Sequence, residues 1–402
     1  MRIALASIHP RALSGQIEGL IGLAHALESR GHTVRVVSAF PNAELLGEAR
    51  HTLDSHSRPM FVDEPFRMLR IMADLARLAS QVDVIQLNLP TPAFALFADL
   101  LQRLTCTPVI VGYEAHLVNV EDLLRLDRLS QSPAFYLPRL IVNNRLVARA
   151  AFHRAAHYVV SSNYQKMELV TLGVAPERIR LLPNILPLDK LTQGEPNALR
   201  VQLLPGRRIT YVGHYNHVKG VDVLLSAFQE LAPRIPDLRL VLAWSGMGAN
   251  EQIAQQQRRA GLDGRVVQLG KVCVPDLMAA SDVVALPYRL TIGQAAYPAT
   301  LLEALAANVP VVTSDLPLLR ELTQGGKTAL LTPPEDAPAL AGAIERLLNE
   351  PRLVTRMREA QRQWRQQIQP GYVVHEYERL YEQVARRELA VLQPAKGCEP
   401  TA

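Results

Sequence analysis

The chain alternates between short unbroken apolar runs and longer segments in which apolar residues return every three or four positions. "RIALASI" (2–8) reads as a buried strand. Helix-period sequence follows from Ile17 to Ser29 and stops at Gly31, the usual place for a glycine just past a helix end. "TVRVVSAF" (33–40), "VDVIQLNLP" (82–90), "TPVIVGYEAH" (107–116), "AHYVVSSN" (156–163) and "ERIRLLPNIL" (177–186) continue the series, with helical sequence at 93–104. Continuous apolar strands interleaved with helices predict a parallel sheet covered on both faces. The pattern breaks at "PLDKLTQGEPNALRVQLLPGRR" (187–208), whose Pro, Gly and polar residues read as a linker. It restarts with "RITYVGHY" (208–215), "LRLVLAWSG" (238–246), "RVVQLGKV" (265–272), "DVVALPY" (282–288), "VPVVTSD" (309–315) and "TALLTPP" (328–334).

The expected fold is therefore α/β, with two Rossmann-like, doubly wound domains facing across a cleft. The expected boundaries are 1–190 and 191–370, then a helix over 371–392 that packs back on the first domain, then a disordered tail over 393–402. Doubly wound sheets bind ligands beyond the carboxyl ends of their strands, so the turns there are where chemistry is sought.

Composition narrows the classes. A chain of 402 residues exceeds one core's usual size, and 48% apolar with 20% charged residues is ordinary globular composition. A net charge of +5 fits an anionic substrate or an anionic membrane surface; with no basic block, it gives no case for nucleic acid. Three cysteines without CxxC spacing suit a reducing compartment and offer no zinc site. No secretory leader and no membrane-length apolar run are visible, which predicts a cytoplasmic protein with a peripheral membrane position as a candidate.

Lysine is scarce: six against 37 arginines, with none before Lys166. One of the six, Lys219, lies where a strand turns into a helix, beside His214 and His217. Cations at a helix N-terminus oppose its dipole, so an anionic guest would relieve them; a lysine lying along the surface is the bland alternative. Gly15 lies in the turn after the first strand, where a glycine lets backbone approach a phosphate or simply makes the bend. His116 follows a strand's carboxyl end and reads either as facing a cleft or as a surface-loop histidine. In "YPATLLEALA", Pro298 or Thr300 starts a helix and Glu303 falls in its first turn or so, either to grip sugar hydroxyls or to satisfy the dipole. The arginine-rich stretch 125–157 reads as a solvated helix face, with contact to anionic lipid as the rival reading.

Taken in order, "SGQIEGLIGLAHALESRGHTVRVVS", "VVSSNYQKMELVTLGVAPERIRLLPNIL", "VGHYNHVKGVDVLLSAFQELAPRIPDLRLVLAWSGMG", "VVQLGKVCVPDLMAASDVVALPY" and "PATLLEALAANVPVVTSDLPLLRELTQGGKTALL" resemble the retaining GT-B glycosyltransferases of the group 1, family 4 class over nearly the whole chain. The resemblance implies that Lys219 contacts the diphosphate of a nucleotide sugar and that Glu303, the second glutamate of the family's E-x7-E motif, holds the ribose. It further implies backbone contacts to the diphosphate near Thr300 and Leu301, a glycine loop at Gly15, main-chain contact to the base at Lys271 and Val272, and His116 near the donor sugar. Two positions depart from the family pattern. His214 stands where an arginine is usual, and Ala295 stands where the motif's first glutamate belongs, with Gln294 or Tyr297 as substitutes.

The function expected from this reading is a metal-independent, retaining glycosyltransferase without a cofactor. Its substrates would be a nucleotide-diphosphate sugar and a sugar, lipid-linked or polysaccharide acceptor, with His116, Lys219 and His214 as catalytic candidates. The alternatives are an epimerase or inverting transferase of the same fold, and a silent sugar-nucleotide-binding protein.

Overall fold

The computed structural model describes residues 1–7, 15–38, 51–52, 60–89, 95–113, 145–152, 157–183, 185–186, 188–195, 197, 199, 203, 205–215, 217–248, 250–270, 272–291 and 297–392. The chain divides into two compact units. One is formed by Met1–Val120, Ser132–Leu186 and Pro370–Ala402, the other by Glu121–Gln131 and Pro187–Gln369.

Among the described residues, the first unit holds seven parallel strands: β1 (Arg2–Ser7), β2 (Thr33–Ser38), β3 (His51–Thr52), β4 (Val84–Leu89), β5 (Val109–Tyr113), β6 (His157–Val160) and β7 (Ile179–Leu181). Their order is β3-β2-β1-β4-β5-β6-β7, which reverses direction between β1 and β4. Side chains that alternate along the strands feed two cores. Ile85, Leu87 and Val111 join the helices Met60–Leu78, Ala95–Thr105 and Asn163–Thr171 on one face. Leu5, Val84 and Ile110 join the helix Gly15–Glu28 on the other.

That second face is completed from the far end of the chain. The helix Pro370–Leu392 buries Val373, Val374, Tyr377, Leu380, Tyr381 and Val384 in the same cluster, at the three- and four-residue spacing of one helix face. Full burial of each of the aliphatic ones is worth about 1.5–3 kcal/mol. Polar contacts fix its register: Glu378 accepts from Arg30 at 2.7 Å and is 2.8 Å from the His32 ring, and Tyr381 donates to buried Gln86 at 2.8 Å.

Among the described residues, the second unit holds six parallel strands: β8 (Arg207–Tyr215), β9 (Leu238–Gly248), β10 (Val266–Leu269), β11 (Val283–Leu286), β12 (Val311–Ser314) and β13 (Leu330–Thr332). The order is β10-β9-β8-β11-β12-β13, so this sheet reverses between β8 and β11. The stretch 187–208 is more than a linker. It contains the helix Leu188–Thr192, and Leu199 and Leu203 are buried against β9, β10 and the helix Val274–Ala279. Among the described residues, no helix is long and apolar enough to cross a membrane.

Candidate functional site

The reversal between β8 and β11 is the topological switch point of the second unit, where the connections leave in opposite directions and open a crevice at the strands' carboxyl ends. Five of the residues singled out from sequence, His214, His217, Lys219, Thr300 and Glu303, lie on the elements around it. β8 ends through His214 and Tyr215, and the Tyr211 hydroxyl donates to the His214 carbonyl at 2.7 Å. The chain then makes a single 3-10 turn, His217–Lys219, and enters the helix Val221–Leu231 through Gly220.

Gly220 is demanded twice over. It holds a left-handed conformation (φ +69°), and a Cβ there would lie 2.0 Å from the Pro287 carbonyl oxygen. The glycine lets the turn bearing Lys219 press against the segment that follows β11. Tyr288 in that segment is 1% exposed, and the Lys219 ammonium lies over its ring at 4.6 Å from the centroid. Burial holds the Lys219 pKa down to about 7. The Tyr288 phenol is raised, by burial first and then by the charge of Glu303. Tyr288 thus lies in contact with Lys219 and within the field of Glu303.

The loop after β11 leads to the helix Ala299–Ala306, which begins behind Pro298 with no side-chain cap. Thr300 Oγ1 donates to the Val212 carbonyl at 3.3 Å, tying the start of this helix to β8. Glu303 lies one turn in and is half-buried. A lysine amine, a histidine and a helix N-terminus on adjacent strand ends suit a phosphate-bearing ligand, and a carboxylate at Glu303 suits neighbouring hydroxyls.

The structure places the other predicted residues as follows. The Tyr297 hydroxyl donates to Glu321 at 2.8 Å, and burial followed by the Glu321 charge raises its pKa. Leu301 is fully buried, and its amide donates to the Pro298 carbonyl at 3.0 Å. Val272 follows β10, two strands away from β8, and packs partly buried on the core there. Gly15 opens the helix after β1. His116, Lys271, Gln294 and Ala295 lie outside the described residues.

Sequence reasoning missed Arg289. Its side chain is only 10% exposed. It donates to both Asp222 carboxylate oxygens at 2.7 and 2.6 Å, to the His217 carbonyl at 2.8 Å and to Glu335 at 2.7 Å. Burial alone would raise the Asp222 pKa, but the Arg289 hydrogen bonds and charge outweigh it and hold the carboxyl below its usual range. One arginine among 37 carries no local mark, and Asp222 reads as ordinary dipole compensation.

The depressed Lys219 amine makes a pH prediction. Between about pH 7 and 10.5 the unfolded lysine keeps a proton that the folded one has shed. The unliganded protein therefore gains stability from this group as pH rises through that window. Melting temperatures taken across it should climb relative to those of Lys219→Met. Parallel curves for the two proteins would contradict the assignment.

Comparisons with known proteins bear on the family and the fold. The family described as "Glycosyltransferase Family 4" matches residues 14–190, and "Glycosyl transferases group 1" matches residues 206–350. Alpha-D-kanosaminyltransferase of Streptomyces kanamyceticus is 27% identical over 278 residues, covering 66% of this chain and 68% of the relative. Phosphatidyl-myo-inositol mannosyltransferase of Mycobacterium leprae is 31% identical over 208 residues, covering 51% of this chain; the match spans 53% of that relative's length. Among solved structures, Anabaena HepE in complex with UDP and glucose superposes with a TM-score of 0.73 at 18% identity, covering 95% of this chain and 99% of HepE. Sucrose-phosphate synthase of Thermosynechococcus elongatus gives 0.74 at 21% identity, covering 95% and 98%. The two family matches occupy the two sheet-forming units in order, the fold neighbours share both, and the chain belongs to the group 1, family 4 glycosyltransferases of GT-B fold.

Proposed function

We propose that the protein transfers a sugar from a nucleotide-diphosphate sugar to an acceptor hydroxyl, with retention at the anomeric carbon and without a metal ion. The observation that carries this reading is the meeting of the Lys219 turn, His214 and the start of the helix Ala299–Ala306 at the β8/β11 switch point. In the transfer, the bond from the anomeric carbon to the phosphate oxygen breaks and its electron pair leaves with the diphosphate. The acceptor oxygen bonds to the same face of that carbon, and its proton passes to the departing phosphate. Negative charge grows on the leaving group, where Lys219 and His214 would oppose it. Glu303 would hold the ribose and His116 would face the donor sugar.

HepE, which shares the fold, has been crystallised with UDP-glucose, and this supports a nucleotide-sugar donor. The mannosyltransferase relatives are named for a phosphatidyl-myo-inositol acceptor, which supports a lipid-linked or sugar acceptor and a place at an anionic membrane surface. The alanine at 295 favours one second reading, a binder that has lost transfer.

The test is release of nucleoside diphosphate from UDP- and GDP-sugars, with and without EDTA, and the anomeric configuration of the product by proton NMR. Turnover insensitive to EDTA with a retained anomer is the expected result. An inverted product would replace the retaining mechanism. Binding of a donor without its transfer or hydrolysis would leave the silent reading in its place.

A further inference from the structure

We propose that the outer face of the helices Ala95–Thr105 and Arg145–Phe152, with Leu96, Leu100, Leu104 and Leu146 set among Arg103 and Arg149, is a docking surface for anionic lipid. This rests on the proposed place at an anionic membrane surface and says which part of the chain meets it.

Single exposed leucines are ordinary on a protein surface; their distribution here is not. Among the described residues, nine large apolar side chains are strongly exposed, and all nine belong to the first unit. Seven of them lie on the helices Met60–Leu78, Ala95–Thr105, Arg145–Phe152 and Asn163–Thr171, which cover one face of its sheet. They concentrate on Ala95–Thr105. Leu96, Leu100 and Leu104 recur every four positions as one outward stripe, while Ala95, Ala98 and Leu101 fill the core behind them. The helix Arg145–Phe152 packs beside it, buries Ala148 and Ala151 in the same core and leaves Leu146 78% exposed.

Charge selects the occupant. The stretch 125–157, which supplies the second helix, carries six arginines against one aspartate. That excess of five equals the formal net charge of the whole chain. Asp99 is the single acidic residue of the two helices, and it lies inward. Its side chain is 16% exposed, whereas that of Arg103, its partner at 3.1 Å, is 70% exposed. Arg149 is exposed as well. Leucines that enter the acyl boundary and guanidinium groups that meet headgroup phosphates are the two components of interfacial binding. A second copy of the chain fits worse, because a twofold contact through this surface would set its arginines against their own copies. The helix Ala95–Thr105 follows the carboxyl end of β4, so the surface adjoins the end of the first sheet at which such folds bind ligands.

The test is co-sedimentation of the full chain with vesicles of phosphatidylglycerol and phosphatidylcholine, and of phosphatidylcholine alone, at low and high salt. The wild type should partition onto the anionic vesicles, far less onto the neutral ones, and salt should release it. Arg103→Gln with Arg149→Gln should weaken partitioning about twentyfold, each arginine near the surface counting for about fivefold. Leu100→Gln with Leu104→Gln should weaken it by about tenfold or more. Tyr372→Gln alters an exposed ring on the helix that covers the opposite face of the same sheet, and should change partitioning by less than about twofold. These positions are exposed, so every variant should melt as the wild type does. No partitioning onto anionic vesicles, equal partitioning onto neutral ones, or partitioning that the leucine and arginine variants leave unchanged would overturn the proposal. A wild type that sediments as a dimer without vesicles, beside a leucine variant that sediments as a monomer, would give the face to a second copy instead. The donor reading is followed separately, by the melting temperature with UDP and GDP, which should rise alike in the wild type and the leucine variant. If neither nucleotide raises it, the donor reading fails and the vesicle result still decides the surface.

Discussion

Lys219→Met lowers turnover with a nucleotide sugar by about 100- to 1000-fold, the range seen when one preorganised donor to a developing anion is removed. Methionine keeps the stem that packs on Tyr288 and removes only the charge, so the fold should persist. The loss should fall mainly on kcat, because charge on the diphosphate grows as it leaves. The amine's low pKa adds a further mark. With a midpoint near 7 in the free protein, the amine is largely neutral at pH 8, and a bound diphosphate favours its charged form. Binding at pH 8 should therefore take up a proton, seen as a dependence of the measured enthalpy on the buffer. Lys219→Met should show a smaller uptake. Steady-state kinetics across pH 6–9 check both statements, and unchanged kcat in the variant would remove Lys219 from the mechanism.

Gly220→Ala should damage the second unit more than any other single methyl at the site. The left-handed backbone costs an alanine about 1–2 kcal/mol, and relieving a 2.0 Å approach to the Pro287 carbonyl oxygen should cost about 1–3 kcal/mol more. Backbone must move, because the atom in the way is a carbonyl rather than a flexible side chain. Melting temperature should fall by about 10 °C, and nucleotide binding should weaken with it as Lys219 leaves the Tyr288 ring. A variant that melts like the wild type and binds as well would show that the turn does not need this geometry.

Much of the architecture was legible because a parallel sheet buried on both faces writes its strands as unbroken apolar runs. "RITYVGHY" and "VDVIQLNLP" fall on β8 and β4 to within a residue or two. "DVVALPY" runs past the end of β11, because Pro287 lacks an amide and the Tyr288 amide turns back to the Leu286 carbonyl at 2.9 Å. The two-residue edge strand β3 left no apolar run to find. Lys219 stood out because lysine is rare in this chain, and Glu303 because its place in the motif is fixed by spacing. Arg289 and Asp222 were invisible for the opposite reason: their partnership joins positions 67 residues apart and exists only once β8 and β11 lie side by side. Tyr297 looked like a stand-in for the missing motif glutamate, yet the described fold turns its hydroxyl to Glu321.

The central claim is that the β8/β11 switch point receives a nucleoside diphosphate through Lys219. The most direct measurement is thermal unfolding of the wild type and Lys219→Met with UDP, GDP, ADP and CDP, all at one fixed concentration. A ligand present at about a hundred times its dissociation constant stabilises by about 2.7 kcal/mol. A rise in melting temperature with one nucleoside diphosphate, lost in the variant, is the result predicted here, and it would name the base of the donor. No rise with any of them, or an equal rise in both proteins, would contradict the site.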